Sequence, residues 1–124
     1  MCIGIFCSTL VAMTSVPASA DFSSLKPGLY VAKAVGCDGL GGSGTVDFDG
    51  VNFSGHYALC KTLPITGQTD HFQSSCIEAQ GENRPSLSDI ETNPNKQIST
   101  LTISQKSSQE FVLNDTAYLY CGAR

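Results

Sequence analysis

The sequence predicts a mainly β fold: a small antiparallel β-barrel or sandwich of seven to eight strands, with one short helix and two disulfides. Three observations lead to this prediction. Short runs of alternating apolar and polar residues are separated by turn residues, all long helical periodicity is missing, and four cysteines follow an apolar leader. Short strands with regular turn signals are typical of all-β domains. A chain of 124 residues has room for one domain.

The beginning of the chain predicts a signal peptide over residues 1–20, followed by a single disulfide-stapled β domain over residues 21–124. Residues 2–13 are largely apolar and uncharged, and residues 18–20 have the small side chains of a cleavage site. This run is shorter than the roughly 20 residues that cross a bilayer. Because no basic residue precedes Lys26, we expect the start codon to lie further upstream. The mature protein is therefore expected to be periplasmic or secreted, with no membrane span.

Four cysteines lie in the predicted mature domain: Cys37, Cys60, Cys76 and Cys121. An even number in a small exported domain predicts a disulfide framework. Their spacing lacks the close pairs of a zinc site and the Cys-x-x-Cys of a redox site, so we expect no metal and no cofactor. Three pairings are possible. We favour Cys60–Cys76 across neighbouring strands and Cys37–Cys121 between the last strand and the first.

The first half of the domain predicts strands over residues 29–35, 45–48 and 51–62. Alternation in the first strand places Leu29, Val31 and Val35 on one face. In the second strand it places Val46 and Phe48 on one side.

Glycines predict where these strands turn. Residues 37–44 contain four glycines and predict a turn, and Asp49-Gly50 predicts a two-residue hairpin. The isolated Gly55 predicts a bulge or tight bend within the third strand.

The second half predicts strands over residues 71–79, 97–104, 109–113 and 116–121, with a turn at Asn114-Asp115. A helix is predicted in the one long connection. Ser86 and Asp89 have the spacing of a capping box, which predicts a helix over residues 86–91 that ends at Asn93-Pro94.

Charge and motifs exclude several functions. The net charge of −4 argues against nucleic acid and anionic membranes and is compatible with a basic partner. The Gly-x-Gly-x-x-Gly match at residues 39–44 precedes a predicted strand, whereas a dinucleotide site needs a helix there. Ser54, His56 and Asp47 could form a triad on paper, but no nucleophile-elbow motif accompanies them. We therefore expect a protein that is not an enzyme.

One segment, Ser54-Gly55-His56-Tyr57, resembles the signature of the periplasmic and membrane-bound inhibitors of C-type lysozyme. These are small exported β-barrels whose Ser-Gly-x-x-Tyr loop enters the lysozyme cleft. In this sequence the tyrosine comes one residue earlier, and position 58 is alanine. The resemblance implies that Ser54 would hydrogen-bond a catalytic carboxyl group and that Tyr57 would supply apolar contact.

The expected function is therefore an exported binding protein that inhibits C-type lysozyme with a loop of Ser54, Gly55, His56 and Tyr57. An acidic domain would be steered towards a basic enzyme of this kind. Two alternatives stay open: a periplasmic protein that binds a small ligand at the glycine-rich turn 37–44 and the barrel mouth, and a structural protein of the envelope.

Overall fold

Eight antiparallel strands form one sheet that curves into a nearly closed barrel, which confirms the predicted fold class. The computed structural model describes residues 22–39, 44–80 and 85–123, so the predicted signal peptide lies outside the described residues. The order across the sheet is β3-β2-β1-β8-β7-β6-β5-β4. The strands are β1 (Gly28–Ala32), β2 (Thr45–Phe48), β3 (Phe53–Gly55), β4 (Ala58–Pro64), β5 (His71–Glu78), β6 (Gln97–Ser107), β7 (Glu110–Leu113) and β8 (Thr116–Gly122).

The two outer strands of the sheet, β3 and β4, meet through side chains rather than through a backbone ladder. Thr62 donates its N–H to Asn52 Oδ1 at 2.8 Å, and Phe53 donates its N–H to Thr62 Oγ1 at 3.0 Å. A third bond, at 2.9 Å, runs from the Cys60 N–H to Ser54 Oγ. We name these five residues the seam. The seam gives backbone donors of both strands a buried partner, which closes the barrel.

Aromatic rings fill the barrel. Phe48 and Phe53 stack with ring centroids 4.6 Å apart, and the ring of Phe111 lies 5.0 Å from Phe53. The prediction that Val46 and Phe48 face the same side is confirmed, since both belong to this core. Its buried members are Leu25, Tyr30, Val46, Phe48, Phe53, Phe72, Ile103 and Phe111.

The first strand is shorter than predicted. It ends at Ala32, whose carbonyl accepts hydrogen bonds from the N–H groups of Val35 and Gly36 at 2.9 and 3.0 Å. Val35 is therefore in a turn and exposed, so the prediction that it shares a face with Val31 in one strand is wrong. Tyr30 and Val31 are the fully buried side chains of this strand, and Tyr30 belongs to the aromatic core.

The turn between β2 and β3 spans residues 49–52, so the predicted two-residue hairpin turn is wrong in length. The Asp49 side chain explains the longer turn. Its Oδ1 accepts the N–H groups of Val51 and Asn52 at 2.9 and 2.7 Å, which satisfies donors that a wider turn leaves unpaired.

The predicted helix is present as α1 (Leu87–Thr92). The Ser86 N–H donates to Asp89 Oδ2 at 2.7 Å, as expected for a capping box. Ile90 is buried where α1 packs against β4 and β5. An ion pair of 2.8 Å joins Lys61 on β4 to Glu91, and the hydrogen bond from Lys61 lowers the pKa of Glu91.

Both favoured disulfides are present. Cys60 and Cys76 face each other across β4 and β5. Cys37, in a short 3₁₀ turn (Cys37–Gly39), is bonded to Cys121 on β8. Such crosslinks form and persist in oxidising compartments and fit a protein outside the cytoplasm. Within the described ranges, neither helical segment has the length and apolar character needed to cross a membrane.

Candidate functional site

The turn between β3 and β4 carries the exposed part of the tetrapeptide singled out above. Its two residues, His56 and Tyr57, are named the tip. Tyr57 is 58% exposed, and its backbone has φ +60°, in the left-handed region. A non-glycine residue there costs roughly 1–2 kcal/mol, so the surrounding structure must hold it.

Two contacts hold the tip in this conformation. The Tyr57 carbonyl accepts the Ala79 N–H at 3.0 Å, which ties the tip to the end of β5. The His56 ring lies against the Tyr57 ring, with centroids 3.8 Å apart and planes tilted by 39°. Tyr57 is therefore presented to solvent in a defined position rather than packed into the core.

Gly55 is the last residue of β3 and directly precedes the bend. Its φ is not positive, and a Cβ at this position would meet no atom within 4 Å. The left-handed residue that turns the chain is Tyr57, two positions later. Of the two expected alternatives, the predicted strand 51–62 is therefore interrupted by a tight bend directly after Gly55 and not by a bulge.

Ser54 lies inside the seam and not on the exposed tip. Only 8% of the residue is exposed, and its Oγ accepts the buried Cys60 N–H. The structure thus separates the tetrapeptide into a buried anchor, Ser54, and an exposed part that comprises Gly55, His56 and Tyr57.

An open cleft of about 710 Å³ lies beside the tip. It is bordered by the ends of β4 and β5, by the beginning of β6 and by the segment that connects α1 to β6. Three carboxamide side chains and two hydroxyl groups give it hydrogen-bonding capacity, and the exposed side chains of Tyr57 and Ile98 flank it. The lining residues are Tyr57, Ala58, Cys76, Ile77, Glu78, Asn93, Asn95, Gln97, Ile98 and Ser99.

The residues that line the cleft give it a negative charge. A second cavity of about 470 Å³ continues it towards α1 and shares Glu78 with it. Glu78 and Asp89 are the charged residues among the described side chains that line the two cavities. Both side chains are exposed. The surface next to Tyr57 therefore favours a positively charged partner.

The residues that could do chemistry are dispersed. His71 Nδ1 contacts the Thr69 carbonyl at 2.8 Å, and His56 lies against Tyr57, whereas Ser54 is bonded to backbone in the seam. Across the three described ranges there is no group of three or more His, Cys, Asp or Glu side chains that could hold a metal ion. The site has the make-up of a recognition surface: an exposed ring, carboxamides and carboxylates.

The glycine-rich turn, expected as an alternative ligand loop, is described only at its ends. Residues 37–39 form the 3₁₀ turn and Gly44 precedes β2, while residues 40–43 lie outside the described residues. Sequence reasoning found the tip but missed the cleft, because Asn93, Asn95 and Gln97 carry no motif and come together only through the packing of α1.

Comparisons with known proteins give no relative for this chain. No family model matches it, and neither a curated protein nor a solved structure matches it.

Proposed function

We propose that this protein is an exported binding protein that inhibits a C-type lysozyme, with the tip and the adjoining negative cleft as its binding surface. The observation that carries the proposal is Tyr57: a large aromatic side chain, 58% exposed, on a strained backbone fixed by two contacts. Strain and exposure both cost free energy, and positions that retain such costs cluster at functional sites.

Tyr57 has the properties of an interface anchor. Its ring offers a large contact area with a hydroxyl at the end, and tyrosine is enriched among the residues that dominate binding energy. Because the backbone and the His56 ring already fix its position, little conformational entropy is lost on binding. His56, half-exposed beside it, can donate a hydrogen bond to a carboxylate of the partner.

Charge favours a basic partner. The cleft carries Glu78, the second cavity that continues it carries Asp89, and the chain has a net charge of −4. C-type lysozymes are basic and cut their substrate with two carboxyl groups in a cleft. Opposite charges would speed the encounter, and the tip would enter the enzyme cleft.

The role proposed for Ser54 differs from the one that the family resemblance implies. Because its Oγ is bonded to the Cys60 N–H inside the seam, Ser54 would position the tip rather than contact the partner's carboxyl group. His56 and Tyr57 then carry the direct contacts.

A calorimetric titration of the oxidised protein with C-type lysozyme tests the proposal. We expect saturable binding near one-to-one, weakened at least about 10-fold by Tyr57→Ala and unchanged by Val51→Ala. Val51 is the matched control, since it is 65% exposed in the turn at the other end of β3. Binding should weaken with added salt, and less steeply for Glu78→Gln. Equal affinities of all variants would contradict the role of the tip.

A second candidate is a small polar ligand bound in the cleft. The concave shape and the carboxamides of Asn93, Asn95 and Gln97 favour it, because few convergent polar groups in a cleft are typical of ligand sites. In this case a small polar ligand would raise the melting temperature of the wild type but not that of Gln97→Ala. Lysozyme would leave the melting temperature of every variant unchanged.

A further inference from the structure

The first half of β6 has a neighbouring strand on one side only. Residues 97–102 pair with β5, whereas pairing with β7 begins at Ile103. Along residues 97–101 the opposite edge of β6 faces no strand within the described parts of the chain.

The backbone groups on this open edge follow from Thr102. Its N–H donates to Asn114 Oδ1 at 3.1 Å, and its carbonyl accepts the Asn114 N–H at 2.7 Å, so both groups point away from β5. Successive residues of an antiparallel strand alternate between the two sides. Thr100 and Ile98 therefore direct their N–H and C=O groups towards the open edge. The hydrogen bonds with Asn114 satisfy Thr102 and do not extend to Thr100 or Ile98.

This edge lacks the features with which proteins prevent pairing. Residues 97–105 contain no charge, proline or glycine. The bulge in β6 lies between Gln105 and Ser107, in the half that pairs with β7 and outside the open edge. Ile98 is 57% exposed. A long, uncharged, β-branched edge with free donors and acceptors pairs with another strand unless lysine, proline or a bulge blocks it.

We propose that two copies of this chain pair through this edge, antiparallel, about a two-fold axis at Ser99. The register sets Ile98 of each copy opposite Thr100 of the other. Each of these two pairs exchanges two backbone hydrogen bonds, so four bonds satisfy all the open groups of Ile98 and Thr100 in both copies. The two exposed Ile98 side chains lie diagonally across the new junction on one face of the joined sheet, where they cover each other.

Charge at the ends of the junction favours a second copy as the partner. The same register sets Gln97 of one copy opposite Leu101 of the other, so that Lys96 leaves the junction where the Asn114-Asp115 turn of the other copy covers Thr102. Lys96 of each copy thus lies next to Asp115 of the other, which gives two opposite-charge pairs by symmetry. In its own chain, Lys96 closes a turn through its N–H to the Asn93 carbonyl, and that turn leads to α1, which packs on β4 and β5. The chain before β6 therefore turns away from the neighbouring copy.

This inference goes beyond lysozyme binding, because the tip has no part in the junction, although Gln97, Ile98 and Ser99 border both the cleft and the junction. Sedimentation velocity of the oxidised protein over a wide concentration range tests it. We expect a reversible dimer for the wild type and for Tyr57→Ala, and a monomer for Thr100→Pro and Ile98→Lys. Proline removes the outward N–H of Thr100 without removing a bond to β5, and lysine at position 98 places a charge on the edge. Thr100→Val keeps the N–H and should stay dimeric.

A charge exchange tests the register separately. Lys96→Asp should weaken the dimer, and Lys96→Asp combined with Asp115→Lys should restore it. A wild type that stays monomeric at every concentration would overturn the proposal. So would a dimer that survives both Thr100→Pro and Ile98→Lys, since it would use another surface. A monomer that instead takes up an extended peptide from another protein at this edge would also overturn it.

Discussion

Ser54 Oγ accepts the backbone N–H of Cys60 at 2.9 Å, and this bond joins the two strands at which the barrel closes. The same serine begins the tetrapeptide whose exposed end is the tip. One hydrogen bond therefore links barrel closure to the position of the candidate binding residues: Ser54 stabilises β3 against β4, and the chain between them must then turn within His56 and Tyr57.

Ser54→Ala should destabilise the protein. It leaves the buried Cys60 N–H without an acceptor, which costs about 1–3 kcal/mol in free energy of unfolding. Urea unfolding followed by circular dichroism measures the loss. Ser108→Ala, at an exposed turn residue, is the matched control and should change stability by less than about 0.5 kcal/mol. Equal midpoints for the two variants would mean that the seam bond contributes nothing.

Tyr57→Gly should raise stability while it abolishes lysozyme binding. Glycine adopts positive φ without steric cost, so we expect a gain of about 0.5–1 kcal/mol in free energy of unfolding. Tyr57→Ala keeps the Cβ and its strain and should leave stability nearly unchanged. A glycine variant less stable than the alanine variant would show that φ at this position stores no strain.

The two disulfides should contribute unequally. Cys37 and Cys121 are separated by 84 residues in sequence, and Cys60 and Cys76 by 16. Because a longer closed loop restricts the unfolded chain more, replacing both members of the first pair by alanine should cost roughly 1.5 kcal/mol more than replacing both members of the second. Denaturant unfolding of the two double variants makes the comparison. The reverse order would indicate that native packing around Cys60–Cys76 outweighs loop entropy.

Tyr30 should make the fold sensitive to strongly alkaline solution. Its hydroxyl donates to the Lys26 carbonyl at 2.5 Å, and burial, with a smaller effect of Tyr120, raises its pKa from 10.0 to about 12. A raised pKa in the folded state means that the contribution of Tyr30 is complete below pH 10 and is lost as the pH rises towards 12. The Tyr30→Phe variant should therefore lose less free energy of unfolding than the wild type does between about pH 9 and about pH 12. Parallel pH curves would contradict this assignment.

Local patterns predicted the strands and crosslinks well. Alternation identified Val46 and Phe48 as core residues, and the spacing of Ser86 and Asp89 identified the helix, because both signals depend on nearby residues alone. The position of Val35 is predicted wrongly because β1 ends at Ala32, whose carbonyl accepts two N–H groups. The alternation of apolar and polar residues in the sequence continues beyond that point.

The candidate site was only partly predictable. The tip follows from a motif, but the burial of Ser54 depends on its contact with Cys60 across the seam, which no local pattern encodes. The positive φ of Tyr57 follows from barrel closure and from the bond to Ala79. The open edge of β6 depends on where β7 ends, a matter of sheet register that the sequence of β6 does not contain.

The central proposal is that the tip blocks a lysozyme, and the rate of cell-wall lysis tests it most directly. Oxidised protein at about a tenfold molar excess, enough to saturate a site of micromolar affinity at micromolar concentrations, should stop most lysis by C-type lysozyme. The same excess of Tyr57→Ala should leave the rate close to that of lysozyme alone. A rate that wild-type protein leaves unchanged would contradict the proposed function.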